Sequence, residues 1–149
     1  MYAHILVATD GSELAGRALD HALGLAKDLG SQVTIVTVTE PAALVGGGYG
    51  AVAGTAFDPI PELIEAQEEA AKGLLAKAVE VAKAAGIDAK TAYVNDSFPA
   101  EGIIGTANSV GADLIVMGSH GRRGLGRLLL GSQTSNVLAH TKVPVLVTR

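Results

Sequence analysis

Apolar residues fall along this chain in two rhythms. Short unbroken runs come first at His4-Ile5-Leu6-Val7-Ala8 and return at Leu114-Ile115-Val116-Met117 and Pro144-Val145-Leu146-Val147, with the β-branched segment Gln32 to Val38 (QVTIVTV) between them. Runs of this length and composition predict strands, and the continuous ones predict strands covered on both faces. Asp88 to Val94 is less apolar and predicts a strand nearer a sheet edge. Between the strands the spacing turns helical. Leu14, Ala18, Ala22, Leu25, Ala26 and Leu29 recur through Glu13 to Leu29, and Gly30 supplies the stop. A second helix is expected from Pro61 to about Ala85, with Gly86 after it. Its acidic residues Glu62, Glu65, Glu68 and Glu69 lie early and Lys77 and Lys83 late, in keeping with the helix dipole. Ser97-Phe98-Pro99-Ala100-Glu101 opens a short third helix through Val110, closed by Gly111. Gly102 and Gly105 weaken it as a free element, so it must rely on packing. The fourth helix runs from about Ser132 to His140.

Five strands alternating with four helices predict an α/β fold, a doubly wound, Rossmann-like parallel sheet with helices on both faces. No internal repeat and no second domain is visible, so residues 1–149 are expected to form one domain. The segment 41–58 is rich in Gly and Ala, lacks periodicity, and is expected to be a flexible loop. Ligands of such folds bind beyond the carboxyl ends of the strands, where the strand order reverses. If the first and fourth strands flank that crevice, Asp10 and Gly118 face each other across it.

The chemistry concentrates after the fourth strand, in GSHGRRGLGRLLLGSQTSNVL from Gly118. Gly118 and Gly121 are followed, after nine intervening residues, by Gly131-Ser132. Glycines allow positive φ and close approach to a ligand. Ser132 at a helix start can cap the first turn, and unpaired amides there, with the helix dipole, attract anions. The stretch is therefore expected to cradle a phosphate chain, with hydroxyl donors from Ser132 and Thr134. The plainer alternative is a glycine-rich connection between strand and helix. A β-branched residue at Gly118 is expected to abolish binding and leave the fold intact. Gly126-x4-Gly131-Ser132 has P-loop glycine spacing but lacks the lysine before the hydroxyl residue, and Thr9-Asp10-Gly11-Ser12 after the first strand is not a GxGxxG fingerprint. Asp10 can accept from a ribose or an adenine amine, or help hold a divalent ion. It can equally be a helix-capping aspartate. His120 can hydrogen-bond a phosphate. Arg122, Arg123 and Arg127 can neutralise a triphosphate, although such runs are more often simply solvated.

Composition narrows the field. Aromatics make up only 3% of the chain against 48% apolar residues overall, so aliphatic side chains must fill the core. A formal net charge of -4, without interleaved aromatics among the arginines, argues against nucleic-acid binding. No apolar run approaches a membrane span, and the N-terminus carries no leader pattern. With no cysteine there are no disulfides or thiolate metal sites, and His4, His21, His120 and His140 are scattered. A cytoplasmic location is expected. No Ser-His-Asp or Cys-His set can be argued from spacing.

The segments ILVATDGS, ADLIVMGSHGRRGLGRLLLGS and the closing VPVLVTR resemble the universal stress protein family, in order and over essentially the whole chain. The G-2x-G-9x-G-S/T pattern is similar to that of the family's ATP-binding subgroup. The resemblance implies a five-stranded sheet of order 3-2-1-4-5 and a homodimer formed by pairing the last strands, here 143–148. It implies ATP as ligand, with Mg2+ or Mn2+ accompanying the phosphates. Asp10 is implied at the adenosine, Val38 at the adenine through its backbone, and Met117 in the base pocket. Gly118, His120, Gly121, Gly131, Ser132, Gln133 and Thr134 are implied at the ribose and phosphates. Gln133 stands where a small apolar residue is common, a change that a backbone contact would survive. Nothing carries over to 41–58. ATP-binding members are thought to be regulators or sensors that act through a protein partner, which the sequence does not name. A slow metal-dependent ATPase using Asp10, a non-nucleotide dimeric interaction module, and a cyclic-nucleotide ligand stay open as alternatives.

Overall fold

The computed structural model describes residues 1–42, 61–121 and 130–149. Its elements in chain order are β1 (His4–Ala8), α1 (Glu13–Leu29), β2 (Gln32–Val38), α2 (Pro61–Ala84), β3 (Lys90–Val94), α3 (Pro99–Val110), β4 (Leu114–Gly118), α4 (Ser132–His140) and β5 (Val145–Thr148). The strands form one sheet of order β3-β2-β1-β4-β5, and each neighbouring pair is parallel. The expected α/β architecture and strand order are both present. Two strands begin slightly later than their apolar pattern suggested: β3 at Lys90 rather than Asp88, and β5 at Val145 rather than Pro144. Most of the expected 41–58 loop, together with Arg122, Arg123, Gly124, Gly126 and Arg127, lies outside the described residues.

Side chains alternate across the pleat and divide the core in two. Ile5, Val7, Val33, Ile35, Leu114 and Val116 pack under α1 and α2, against Ala18, Ala22, Leu75 and Ala82. Leu6, Val36, Ile115 and Met117 point the other way, against Ala100, Ile103 and Ala107 of α3 and Val137 of α4. The central strands are therefore apolar on both faces, and Ile5, Leu6, Val7, Ile115 and Val116 are fully buried. β3 and β5 occupy the edges and are only partly covered.

At the amino end of the sheet, Asp113 staples β1 to β4. Its carboxylate accepts from the amides of His4 (3.0 Å) and Ala3 (2.8 Å), and those bonds hold its pKa below the ordinary carboxylate value. At the carboxyl end the chain diverges: β1 leads toward β2 on one side, while β4 leads toward β5 on the other. This divergence opens the crevice.

Candidate functional site

Beyond the carboxyl ends of β1 and β4 lies a cavity of about 520 Å³. All ten residues singled out from the sequence line it: Asp10, Val38, Met117, Gly118, His120, Gly121, Gly131, Ser132, Gln133 and Thr134. One half is apolar, walled by Ala8, Val36, Val38, Met117, Pro99 and Ile103, with Ala70, Ala71 and Leu74 closing it from α2. The rest is backbone and polar groups from Thr9-Asp10, from Gly118, His120 and Gly121, and from the start of α4, with Thr37, Thr39, Glu40 and Gln67 also on the wall.

The polar half is assembled by contacts between segments far apart in sequence. The Asp10 carboxylate accepts from the Ser12 amide at 2.9 Å, and Ser12 itself caps α1 by accepting from Ala15 N at 3.2 Å. Asp10 therefore shapes the turn before α1, while capping falls to Ser12. A Cβ on Gly121 would lie 2.7 Å from Asp10 Oδ2, so the loop after β4 is folded directly against that carboxylate. Asp10 and the glycine stretch do face each other.

The glycines do not supply the positive φ expected of them. Gly131 has φ −61°, and neither Gly118 nor Gly121 is among the positive-φ residues. What they supply is space. A Cβ on Gly118 would sit 3.1 Å from Leu14 Cβ and 3.2 Å from its backbone carbon, and one on Gly131 would sit 3.1 Å from the Ser119 carbonyl oxygen. A β-branched residue at Gly118 would therefore push on the start of α1, contrary to the expectation that the fold would be untouched.

Two hydroxyl assignments also change. Gly131, not Ser132, is the N-cap of α4, and no side chain caps that helix. Ser132, Gln133 and Thr134, whose amides have no partner within the helix, line the cavity. Thr134 is 2% exposed and its hydroxyl donates to the carbonyls of Gly118 (3.0 Å) and Ser119 (3.2 Å). That single hydrogen is spent on tying α4 to the β4 loop, so the Thr134 hydroxyl has no hydrogen left to donate elsewhere. The Gly131 amide donates to the Ser119 carbonyl at 2.7 Å and closes the same junction.

Sequence reasoning missed several residues. Ser119 is 3% exposed and places its hydroxyl 3.2 Å from His120 Nδ1, orienting the imidazole. Its position between two selected residues was the available signal. Gly102 is buried in α3, and a Cβ there would stand 2.7 and 2.8 Å from the two Val38 methyls. It allows α3 to approach β2 at the apolar end of the cavity. Gln67, Ala70, Ala71 and Leu74 carried no signal, because only the packing of α2 brings them to the wall.

Among the described residues, the two ionisable groups with perturbed pKa values both lie outside the cavity. Lys72, exposed on α2, is held above the ordinary lysine value by the Glu68 carboxylate 2.7 Å away, and Asp113 lies at the opposite end of the sheet. Among the described residues, no three His, Cys, Asp or Glu side chains are grouped to hold a metal ion, and no helix is long and apolar enough to cross a membrane. Among the described residues, Asp10 and Glu40 are the acidic ones on the cavity wall.

The universal stress protein family model matches residues 1–149. The chain belongs to that family. Universal stress protein YxiE of Bacillus subtilis (strain 168) is 34% identical to it over the full length of both chains. A universal stress protein solved in complex with cAMP is 28% identical, with a TM-score of 0.69 over 99% of this chain and 97% of that one. The universal stress protein from Archaeoglobus fulgidus in complex with dAMP is 25% identical, with a TM-score of 0.67 over 99% and 98% of the two chains.

Proposed function

We propose that residues 1–149 form one nucleotide-binding unit that holds ATP in the β1/β4 crevice and acts as a nucleotide-dependent regulator in stress response. The observation that carries this reading is the convergence of all ten sequence-selected residues on one cavity with an apolar and an amide-rich end. Its volume lies within the usual range for small-molecule sites, roughly 300–1,000 Å³. Family members hold cAMP and dAMP, two ligands that share adenine and a sugar phosphate. An adenine fits between Val38, Met117 and Ile103, with Asp10 at the nucleoside. The opening amides of α4 and the backbone at Gly118 and Gly121 then meet the phosphates, where the helix dipole favours negative charge. His120, oriented by Ser119, adds an imidazole to the same wall.

A divalent ion would be held largely by phosphate oxygens, since Mg2+ typically takes one or two carboxylates and keeps several waters. Asp10 and Glu40 are the carboxylates suited to complete its shell. Such an ion would neutralise phosphate charge. A homodimer through 143–148 is supported by β5 being a sheet edge, which invites a partner strand, and by Leu146 exposed on it.

The test is to denature freshly purified protein, identify any released nucleotide by chromatography and mass, and titrate emptied protein with ATP and Mg2+. Recovery of an adenine nucleotide or a saturable titration is expected. Millimolar ATP with neither heat nor a melting shift would overturn the reading. Phosphate release measured alongside separates a regulator from an ATPase.

A further inference from the structure

α3 starts without a cap of its own. Its N-cap residue is Phe98, which has no acceptor side chain, and Pro99 at the first position has no N–H to offer. The first amide needing an acceptor is therefore that of Ala100. It finds one on another helix: Gln133, the second residue of α4, accepts from Ala100 N through Oε1 at 3.2 Å. An N–H can be satisfied only by the oxygen end of the amide, so this bond fixes which way round the side chain lies. Its Nε2, with two N–H donors, is the end that remains, and the Gln133 side chain makes no other hydrogen bond among the described residues.

Gln133 also lines the cavity, and its bond to Ala100 ties the start of α4 to the start of α3 there. Pro99 and Ile103 of α3 wall the apolar half, and Gly131 and Ser132 open the amide-rich half. We propose that Gln133 is a specificity-determining residue: Ala100 orients its side-chain amide so that a donor-only group meets a ligand oxygen between base and phosphates. The chemistry selected is a hydrogen-bond acceptor, either a ribose oxygen or a phosphoryl oxygen. The assignment rests on the nucleotide reading above and gives the Gln133 side chain a role beyond its backbone.

Two variants separate this role from simple capping. Gln133→Glu keeps an oxygen for Ala100 and removes the donors. Gln133→Met removes both at similar size without adding charge. Each is titrated with ATP, AMP and adenosine, and its melting temperature is recorded without ligand. A donor to the ligand predicts that both variants lose about tenfold in affinity, the factor equivalent to about 1.4 kcal/mol, while only Gln133→Met loses stability. Adenosine weakened along with ATP and AMP by Gln133→Met assigns the donor to the ribose. Adenosine spared assigns it to a phosphoryl oxygen. Wild-type affinity of Gln133→Met for all three ligands overturns the proposal, as does affinity lost in Gln133→Met and retained in Gln133→Glu. A wild-type chain that binds none of the three overturns the nucleotide reading and this assignment with it.

Discussion

α3 contains two glycines that the sequence treats alike and the fold does not. Gly102 is buried against Val38, while Gly105 is exposed, and a Cβ added there would meet nothing within 4 Å. Replacing a mid-helix glycine with alanine stabilises by roughly 0.5–1 kcal/mol through backbone entropy when the site is open. Gly105→Ala should deliver that gain. At Gly102 the new methyl would come within 2.7 and 2.8 Å of the Val38 methyls. Val38 is β-branched and stiff at χ1, so relief requires α3 to move or Val38 to leave its rotamer. Overpacking of this kind costs about 1–3 kcal/mol, and subtracting the helix gain leaves a net loss of roughly 0–2 kcal/mol. The two alanine variants should therefore differ by about 1–3 kcal/mol, the overpacking cost itself. Urea unfolding read by circular dichroism measures the difference directly. Adenine-nucleotide affinity should fall in Gly102→Ala and stay unchanged in Gly105→Ala, because only the former disturbs the apolar wall. Equal stability of the two variants would show that α3 does not depend on close approach at Val38.

Thr134→Val keeps shape but removes the hydroxyl that serves the Gly118 and Ser119 carbonyls. It should cost roughly 1–2 kcal/mol of stability, read as a lower urea midpoint, and an unchanged midpoint would count against the α4–β4 tie. Asp113 supplies a pH signature. Its folded pKa is depressed by the amides of His4 and Ala3, so its contribution is complete above the unfolded carboxylate value of about 3.9 and is lost as pH falls through the lower folded value. The stability gap between wild type and Asp113→Asn should be flat from pH 5 to 7 and change only below about pH 4. It is kept small by solvent exposure, and a gap that drifts near neutrality would contradict the assignment.

What the residues determined by themselves is local. Central strands apolar on both faces, a helix begun at Ser12 and stopped at Gly30, and another closed at Gly111 all depend on neighbours within about one helical turn. These elements were legible, and so was the meeting of Asp10 with the glycine stretch, because parallel α/β sheets place their crevice at the carboxyl ends of the strands. The strand order was not derivable from periodicity and came only with the family resemblance.

Tertiary structure decided what each small or polar residue is for. The motif glycines read as sources of positive φ and of close approach to a ligand; at Gly118, Gly121 and Gly131 φ is not positive, and the missing Cβ leaves room for Leu14, Asp10 and Ser119. Thr134 read as a donor to phosphate, yet its hydroxyl is committed to two carbonyls. Gln133 read as a residue that serves through its backbone, and its side chain reaches the start of a different helix. A sequence states which groups are present, but the use of a missing Cβ or a single hydroxyl hydrogen is set by whatever atom packing brings within about 3 Å of it.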